Sequence, residues 1–233
     1  MTAKAIPWDE IFQALNAWRG GLSQEGPSAA PDEPSVTLIA ESYAGDPWAI
    51  LVSTIISLRT KDAVTAGASQ RLLEKAPNPA ALQRLSHEEI ARLVYPAGFY
   101  RTKAANLQKI AAILMDARGG AVPSDMDALL ALPGVGRKTA NLVRTEAFDL
   151  DGLCVDTHVH RIANRCGWCG SEGSPSPNRT EMILREVLPP KYWKPINSLL
   201  VLYGQQLCRP ISPYCSRCVI RPHCPQQGVE RYR

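Results

Sequence analysis

Four cysteines, Cys208, Cys215, Cys218 and Cys224, crowd the C-terminal end of this 233-residue chain. Thiolates with six, two and five residues between them suit a metal site, either tetrahedral zinc or a cluster with one cysteine per iron. After Cys208 no helical periodicity survives, so a fold there has to come from cross-linking. Upstream lies Leu130-Ala131-Leu132-Pro133-Gly134-Val135-Gly136-Arg137-Lys138-Thr139-Ala140-Asn141. A helix ending near Ala131, a turn at Pro133-Gly134 and a second helix from about Gly136 would make a hairpin. Glycines leave backbone N–H groups uncovered, and the positive end of the second helix adds to them. Such a hairpin can hold a phosphate oxygen without reading a base. Leu132 and Val135 would pin its two helices together. The segment lacks the preceding strand and third glycine of a dinucleotide fingerprint, and the Gly-Lys-Ser/Thr order of a nucleotide loop. Further on, in Val155-Asp156-Thr157-His158-Val159-His160-Arg161, Asp156 can cap a helix whose Val159 and Ile162 face inward.

The elements that must position these groups read as helices. Trp8, Ile11, Phe12, Leu15 and Trp18 recur at helical spacing over residues 8–19. Prolines and glycines make residues 20–34 a loop. Asp46-Pro47 starts a buried apolar helix over residues 48–58, although its β-branched content would also suit a strand. Helical patterns follow at 62–75, 79–84, 87–95 and 101–117, with Ser86 and Glu89 as a capping box. A short helix spans 125–130, and two more lie near 179–187 and 192–207, after a Pro/Ser-rich loop at 171–177. Repeated strand–helix units and Asn-Gly hairpins are missing, so the expected class is all-α. The 26 Lys and Arg against 22 Asp and Glu give a net charge of +4, which agrees with an acidic partner without establishing one. No apolar run is long enough for a membrane span, and the first residues do not read as a signal peptide. The expected localisation is cytoplasmic, with reduced cysteines.

The Leu132–Ala140 string, the Val155–Arg165 string and the cysteine spacing together resemble the endonuclease III family of helix-hairpin-helix DNA glycosylases and lyases. The resemblance runs from about Trp48 to Cys224. It implies an all-α, two-domain glycosylase fold with a C-terminal cluster loop. Residues 40–150 would form a helical barrel ending in the hairpin. Residues 1–39 and 151–233 would form a second domain from both chain ends. Double-stranded damaged DNA would lie across a cleft between them, with one nucleotide rotated in, and the protein would act as a monomer. The resemblance also implies that the four cysteines hold one four-iron four-sulfur cluster. Cys154, Cys166 and Cys169 have no counterpart in that pattern and read as buried structural thiols.

Within the family pattern Lys138 stands at the catalytic lysine and Asp156 at the catalytic aspartate. The lysine would attack C1′ of a damaged nucleotide, expel the base and form a Schiff base from which β-elimination cuts the strand. Attack needs a neutral amine, which a helix start and burial would favour, while an ion pair with Asp156 would oppose it. Asp156 would balance charge developing on the sugar. His158, His160 and Arg161 are lesser candidates, Arg161 structural or phosphate-facing. Leu132, Gly134, Val135, Gly136 and Arg137 would grip the backbone. Arg59, Phe99 and Tyr100 would fill the vacated stack. Many relatives have glutamine at the position of Arg59 and an aliphatic residue at that of Phe99, so the resemblance does not carry the family's opposite-base preference over to this chain. The implied activity is removal of oxidised pyrimidines with strand cleavage. A mismatch or uracil glycosylase without lyase chemistry, or an idle DNA-binding module, are the alternatives.

Overall fold

The computed structural model of the protein describes residues 5–22, 39 and 41–233. Among these the regular elements are all helical: α1 (Trp8–Leu22), α2 (Pro47–Ser57), α3 (Asp62–Lys75), α4 (Pro79–Gln83), α5 (His87–Val94), α6 (Tyr100–Arg118), α7 (Met126–Leu130), α8 (Arg137–Phe148), α9 (Thr157–Arg165), α10 (Pro177–Val187) and α11 (Ile196–Gln206). Three single 3₁₀ turns, at Pro190–Tyr192, Cys215–Arg217 and Arg221–His223, complete the set. The chain divides into two compact units. One is Glu33–Gly152; the other runs from Leu153 to Arg233 and takes in α1.

The Glu33–Gly152 unit is built on α2. Every residue from Trp48 to Ile56 is buried, which explains why its sequence is apolar without a face. The hydroxyls of Ser53 and Thr54 satisfy themselves on carbonyls one turn back, Ala49 O at 2.8 Å and Ile50 O at 2.7 Å. Asp46 accepts from Ala49 N at 2.9 Å and so starts the helix after the turn at residues 43–45. Around α2 pack Leu72, Leu82, Ile90, Leu107, Ile110 and Leu114 from α3 to α6, and Ala140 and Val143 from α8. Helix α6 carries its buried stripe at 103, 104, 107, 110, 111 and 114. That spacing is helical, but its first member is a lysine.

In the second unit, α1 buries Trp8, Ile11, Phe12 and Leu15 against a core that includes Val159, Ile162, Leu184, Leu199, Leu200 and Tyr203. Aromatic pairs tie these helices: Trp8 with Trp168 at 5.0 Å, Phe12 stacked on Tyr192 at 3.8 Å and Trp18 against Tyr203 at 4.8 Å.

Two boundaries differ from the sequence reading by more than two residues. Helix α1 continues through Gly20 and Gly21 to Leu22, while the rest of the expected loop, 23–34, lies outside the described residues. The helix expected from 192 begins at Ile196, because Pro195 precedes its first turn and a 3₁₀ turn occupies Pro190–Tyr192. Beyond Gln206 only two of the short 3₁₀ turns occur, in keeping with the loss of periodicity there.

Candidate functional site

The hairpin forms between α7 and α8. Asp125 caps α7 by accepting from Ala128 N at 2.9 Å. The chain then turns through Gly134 at φ +77, a left-handed conformation that suits glycine. A Cβ at Gly134 would also lie 2.5 Å from Asn106 Nδ2 on α6. Leu132 and Val135 are buried in the core, and Val135 N bonds Leu132 O at 3.1 Å. Their side chains therefore hold the hairpin closed, and only backbone remains to meet a phosphate. Gly134 and Gly136 are exposed, and Arg137 is half-buried.

Helix starts in this unit fall into two kinds. Asp46, Asn78, Ser86 and Asp125 each give a side-chain oxygen to the first turn of α2, α4, α5 and α7. The N-cap residues of α3, α6 and α8 are Lys61, Phe99 and Gly136, and none makes a side-chain cap bond. These three coincide with the segments that the sequence marks as DNA-facing. At Gly136 no atom lies within 4 Å of where a Cβ would stand, so packing does not require glycine there. Lys138 follows in the first turn of α8 and is exposed, where the sequence reading had expected burial.

Asp156 begins α9 in the other unit. It is buried, and its Oδ1 accepts from His158 N at 2.8 Å and Val159 N at 2.9 Å. Both cap bonds use one carboxylate oxygen, so the cap does not consume the second. Of the lesser candidates, Arg161 is structural: its guanidinium donates to Cys208 O at 2.9 Å and Gly204 O at 3.1 Å. His160 Nδ1 lies 2.8 Å from Thr180 Oγ1, and burial lowers its basicity.

Arg59 and Phe99 meet. The Arg59 guanidinium lies 5.5 Å from the Phe99 ring centre, and both side chains are exposed, Phe99 by 62%. Tyr100 is half-buried, with its ring against Tyr95 at 5.4 Å and under Arg101 at 5.7 Å. Arginines thus lie over the rings of Phe99 and Tyr100, a combination of basic and aromatic side chains suited to unstacked bases.

Cys208, Cys215, Cys218 and Cys224 all line one small cavity, otherwise walled mainly by Ile162, Tyr203, Leu207, Pro213 and Ile220. Donors point at its sulfurs: Tyr203 Oη to Cys218 Sγ at 3.1 Å and an Arg165 nitrogen to Cys208 Sγ at 3.4 Å. Burial pushes the Cys208 and Cys218 thiols up. Among the described residues no three His, Cys, Asp or Glu side chains are grouped closely enough to hold a single metal ion. Four thiols lining one pocket, with donors aimed at two of them, suit either metal arrangement that the spacing allows.

Two features escaped sequence reasoning. Cys166 lines the same cavity, and its thiol hydrogen-bonds Cys224, holding that group below the ordinary thiol range. Cys154 and Cys169 are buried. The other missed feature is Lys103, on the buried stripe of α6; a charge on an apolar face was the available signal.

The model of the HhH-GPD superfamily of base excision DNA repair proteins matches residues 52–190. Endonuclease III of Thermotoga maritima is 42% identical over 179 residues, covering 77% of this chain and 83% of that protein. The chain belongs to the endonuclease III family. Among solved structures, a trapped endonuclease III–DNA covalent intermediate, described as an estranged-adenine complex, aligns at a TM-score of 0.75 and 30% identity, over 94% of this chain and 95% of that one. A non-covalent endonuclease III–DNA complex aligns at 0.72 and 35% identity, over 78% and 84%. This endonuclease III family member is thus a DNA-binding, base excision repair glycosylase with the helix-hairpin-helix fold.

Proposed function

We propose that the protein is a bifunctional glycosylase and lyase that removes oxidised pyrimidines from damaged duplex DNA, acting as a cytoplasmic monomer. The observation that carries this reading is Lys138 standing exposed in the first turn of α8, two residues after an N-cap glycine that gives that turn no side-chain cap. A phosphate held at Gly134 and Gly136 would bring the amine to the sugar beside it. The amine attacks C1′, and the base leaves with the electrons of the glycosidic bond. Ring opening and proton loss give an imine, from which β-elimination breaks the 3′ phosphodiester. Only a primary amine forms that imine, which is why a lysine is needed. Asp156, with its second carboxylate oxygen outside the cap, balances the charge that develops on the sugar.

The four cysteines would hold one four-iron four-sulfur cluster. The shared cavity and the hydrogen bonds to its sulfurs support it. When bound, the cluster supplies cross-linking for a segment without a helical core and takes no part in base removal. Protein prepared without oxygen should carry iron and acid-labile sulfide in equal amounts; stoichiometric zinc without sulfide would overturn the assignment.

Borohydride added during turnover tests the chemistry. The protein should become covalently linked to a lesion-bearing duplex, with the adduct on Lys138 by mass spectrometry. Base release with no trappable intermediate would favour a glycosylase that uses water. No base release from duplexes carrying thymine glycol, oxidised cytosine, uracil or a mismatch, and no strand cleavage at an abasic site, would favour a binding module.

A further inference from the structure

The Glu33–Gly152 unit buries a cation that the chemistry above does not use. Lys103 is 5% exposed, and its Nζ donates to Ile56 O at 2.7 Å, Leu58 O at 2.6 Å and Thr60 Oγ1 at 2.7 Å. An ammonium has three donors, and all three are placed. Two of the acceptors are carbonyls at the end of α2, which the helix itself leaves without partners. The cation thus closes a helix C-terminus, the end that favours positive charge. The third acceptor, Thr60 Oγ1, also accepts from Gly98 N at 3.1 Å. One side chain therefore joins the end of α2, the turn carrying Arg59 and the turn carrying Phe99.

Both turns are unusual. Arg59 has φ +53 and Phe99 φ +55, left-handed values that side-chain-bearing residues seldom adopt. A Cβ on Gly98 would stand 2.5 Å from Arg59 O, so the two backbones can be this close only with glycine there. The result is the exposed Arg59–Phe99 contact at 5.5 Å.

We propose that Lys103 is a positioning residue that locks Arg59 and Phe99 into one rigid pair, so that the two enter the DNA stack together and the opposite-base preference belongs to the pair. This rests on the glycosylase reading above. A side chain that parts stacked bases must stand on backbone that does not yield, and exposed turns with few contacts yield readily. Three bonds from a buried ammonium supply the missing stiffness. Burial lowers the Lys103 pKa to about 8, so the three-donor form still predominates at neutral pH.

The test needs no turnover. The full chain is mixed with a duplex carrying a tetrahydrofuran abasic analogue opposite 2-aminopurine, whose fluorescence reports the orphaned base. Undamaged duplex serves as the reference. Thr60→Val removes the shared acceptor and keeps Lys103; Lys103→Met removes the cation. We expect folded Thr60→Val to lose about tenfold of its preference for the analogue, the effect of roughly one buried hydrogen bond, with a smaller fluorescence change. Adding Phe99→Ala should then cost much less than it does in the wild type, because the pair is already unlocked. Should Lys103→Met fail to fold, Thr60→Val decides alone. Wild-type preference and fluorescence in folded Thr60→Val, or full additivity with Phe99→Ala, would overturn the proposal. A wild type that does not distinguish the analogue from undamaged duplex would overturn the glycosylase reading and this proposal with it.

Discussion

Helix α8 begins at Gly136, which has no side chain to offer its first turn, whereas α9 begins at Asp156, whose Oδ1 takes two first-turn N–H groups. Both helices present the same positive end. In α9 that end is occupied by the protein's own carboxylate, which is fixed in place by the bonds it accepts. In α8 the N-cap residue supplies no such charge, and the residue that would do chemistry stands beside it. Filling the α8 start from within would make a slightly better helix and a worse anion site. The contrast ties the two candidate catalytic residues to one piece of physics, used in opposite ways.

The largest expected effect comes from Lys138→Gln. Borohydride linkage to lesion-bearing duplex should vanish while gel-shift affinity stays close to wild type; a trapped adduct in this variant would move the nucleophile elsewhere. Asp156→Asn separates the cap from the charge. Asparagine caps about as well as aspartate, so the melting temperature should hold while single-turnover base release falls by about 10²–10³-fold. Equal losses of stability and rate would make Asp156 a cap only. Gly136→Asp should make the two helix starts alike. It should stabilise the fold by a few tenths of a kcal/mol at most and weaken binding to every duplex by about tenfold, measured by fluorescence anisotropy. Loss confined to damaged DNA would place Gly136 at the lesion instead. The smallest effect extends the comparison to a helix that ends on a cation. Lys103 titrates at about 8 when folded against an ordinary value of 10.5. Between those values the unfolded chain keeps a proton that the folded protein has released, so stability should rise with pH across that window. Denaturant unfolding of Lys103→Met should lack this slope.

Much of this was legible in the sequence because it is local. Ser86 and Glu89 form the capping box that their spacing announces, and α3 spans the predicted 62–75. Asp46-Pro47 decided for helix against the β-branched content of α2, since a cap and a first-turn proline are helix signals and burial accepts any apolar residue. The hairpin was legible for the same reason, since its Asp125 cap and its Val135 N to Leu132 O bond are local. What stayed hidden is long-range. The acceptors of Lys103 are 43 to 47 residues away, and Cys166 meets its cavity mates only through the packing of α9. The exposure of Lys138 was hidden too, since a helix pattern does not say how deep its first turn sits.

Helix α9 has Asp156 at one end and the cysteine cavity at the other. Arg161 and Arg165 grip the Cys208 segment, and Cys166, the residue that ends the helix, lines the cavity. Its nine residues span about 14 Å, a tie-rod with a carboxylate on its near end and a sulfur-lined socket on its far end. A rod of that length transmits a tilt rather than absorbing it. If the socket is assembled wrongly, the error therefore arrives at Asp156 as a misaimed oxygen. Corrosion at the far end would then loosen the cross-linked segment first, and slow chemistry would follow from that loss of fold.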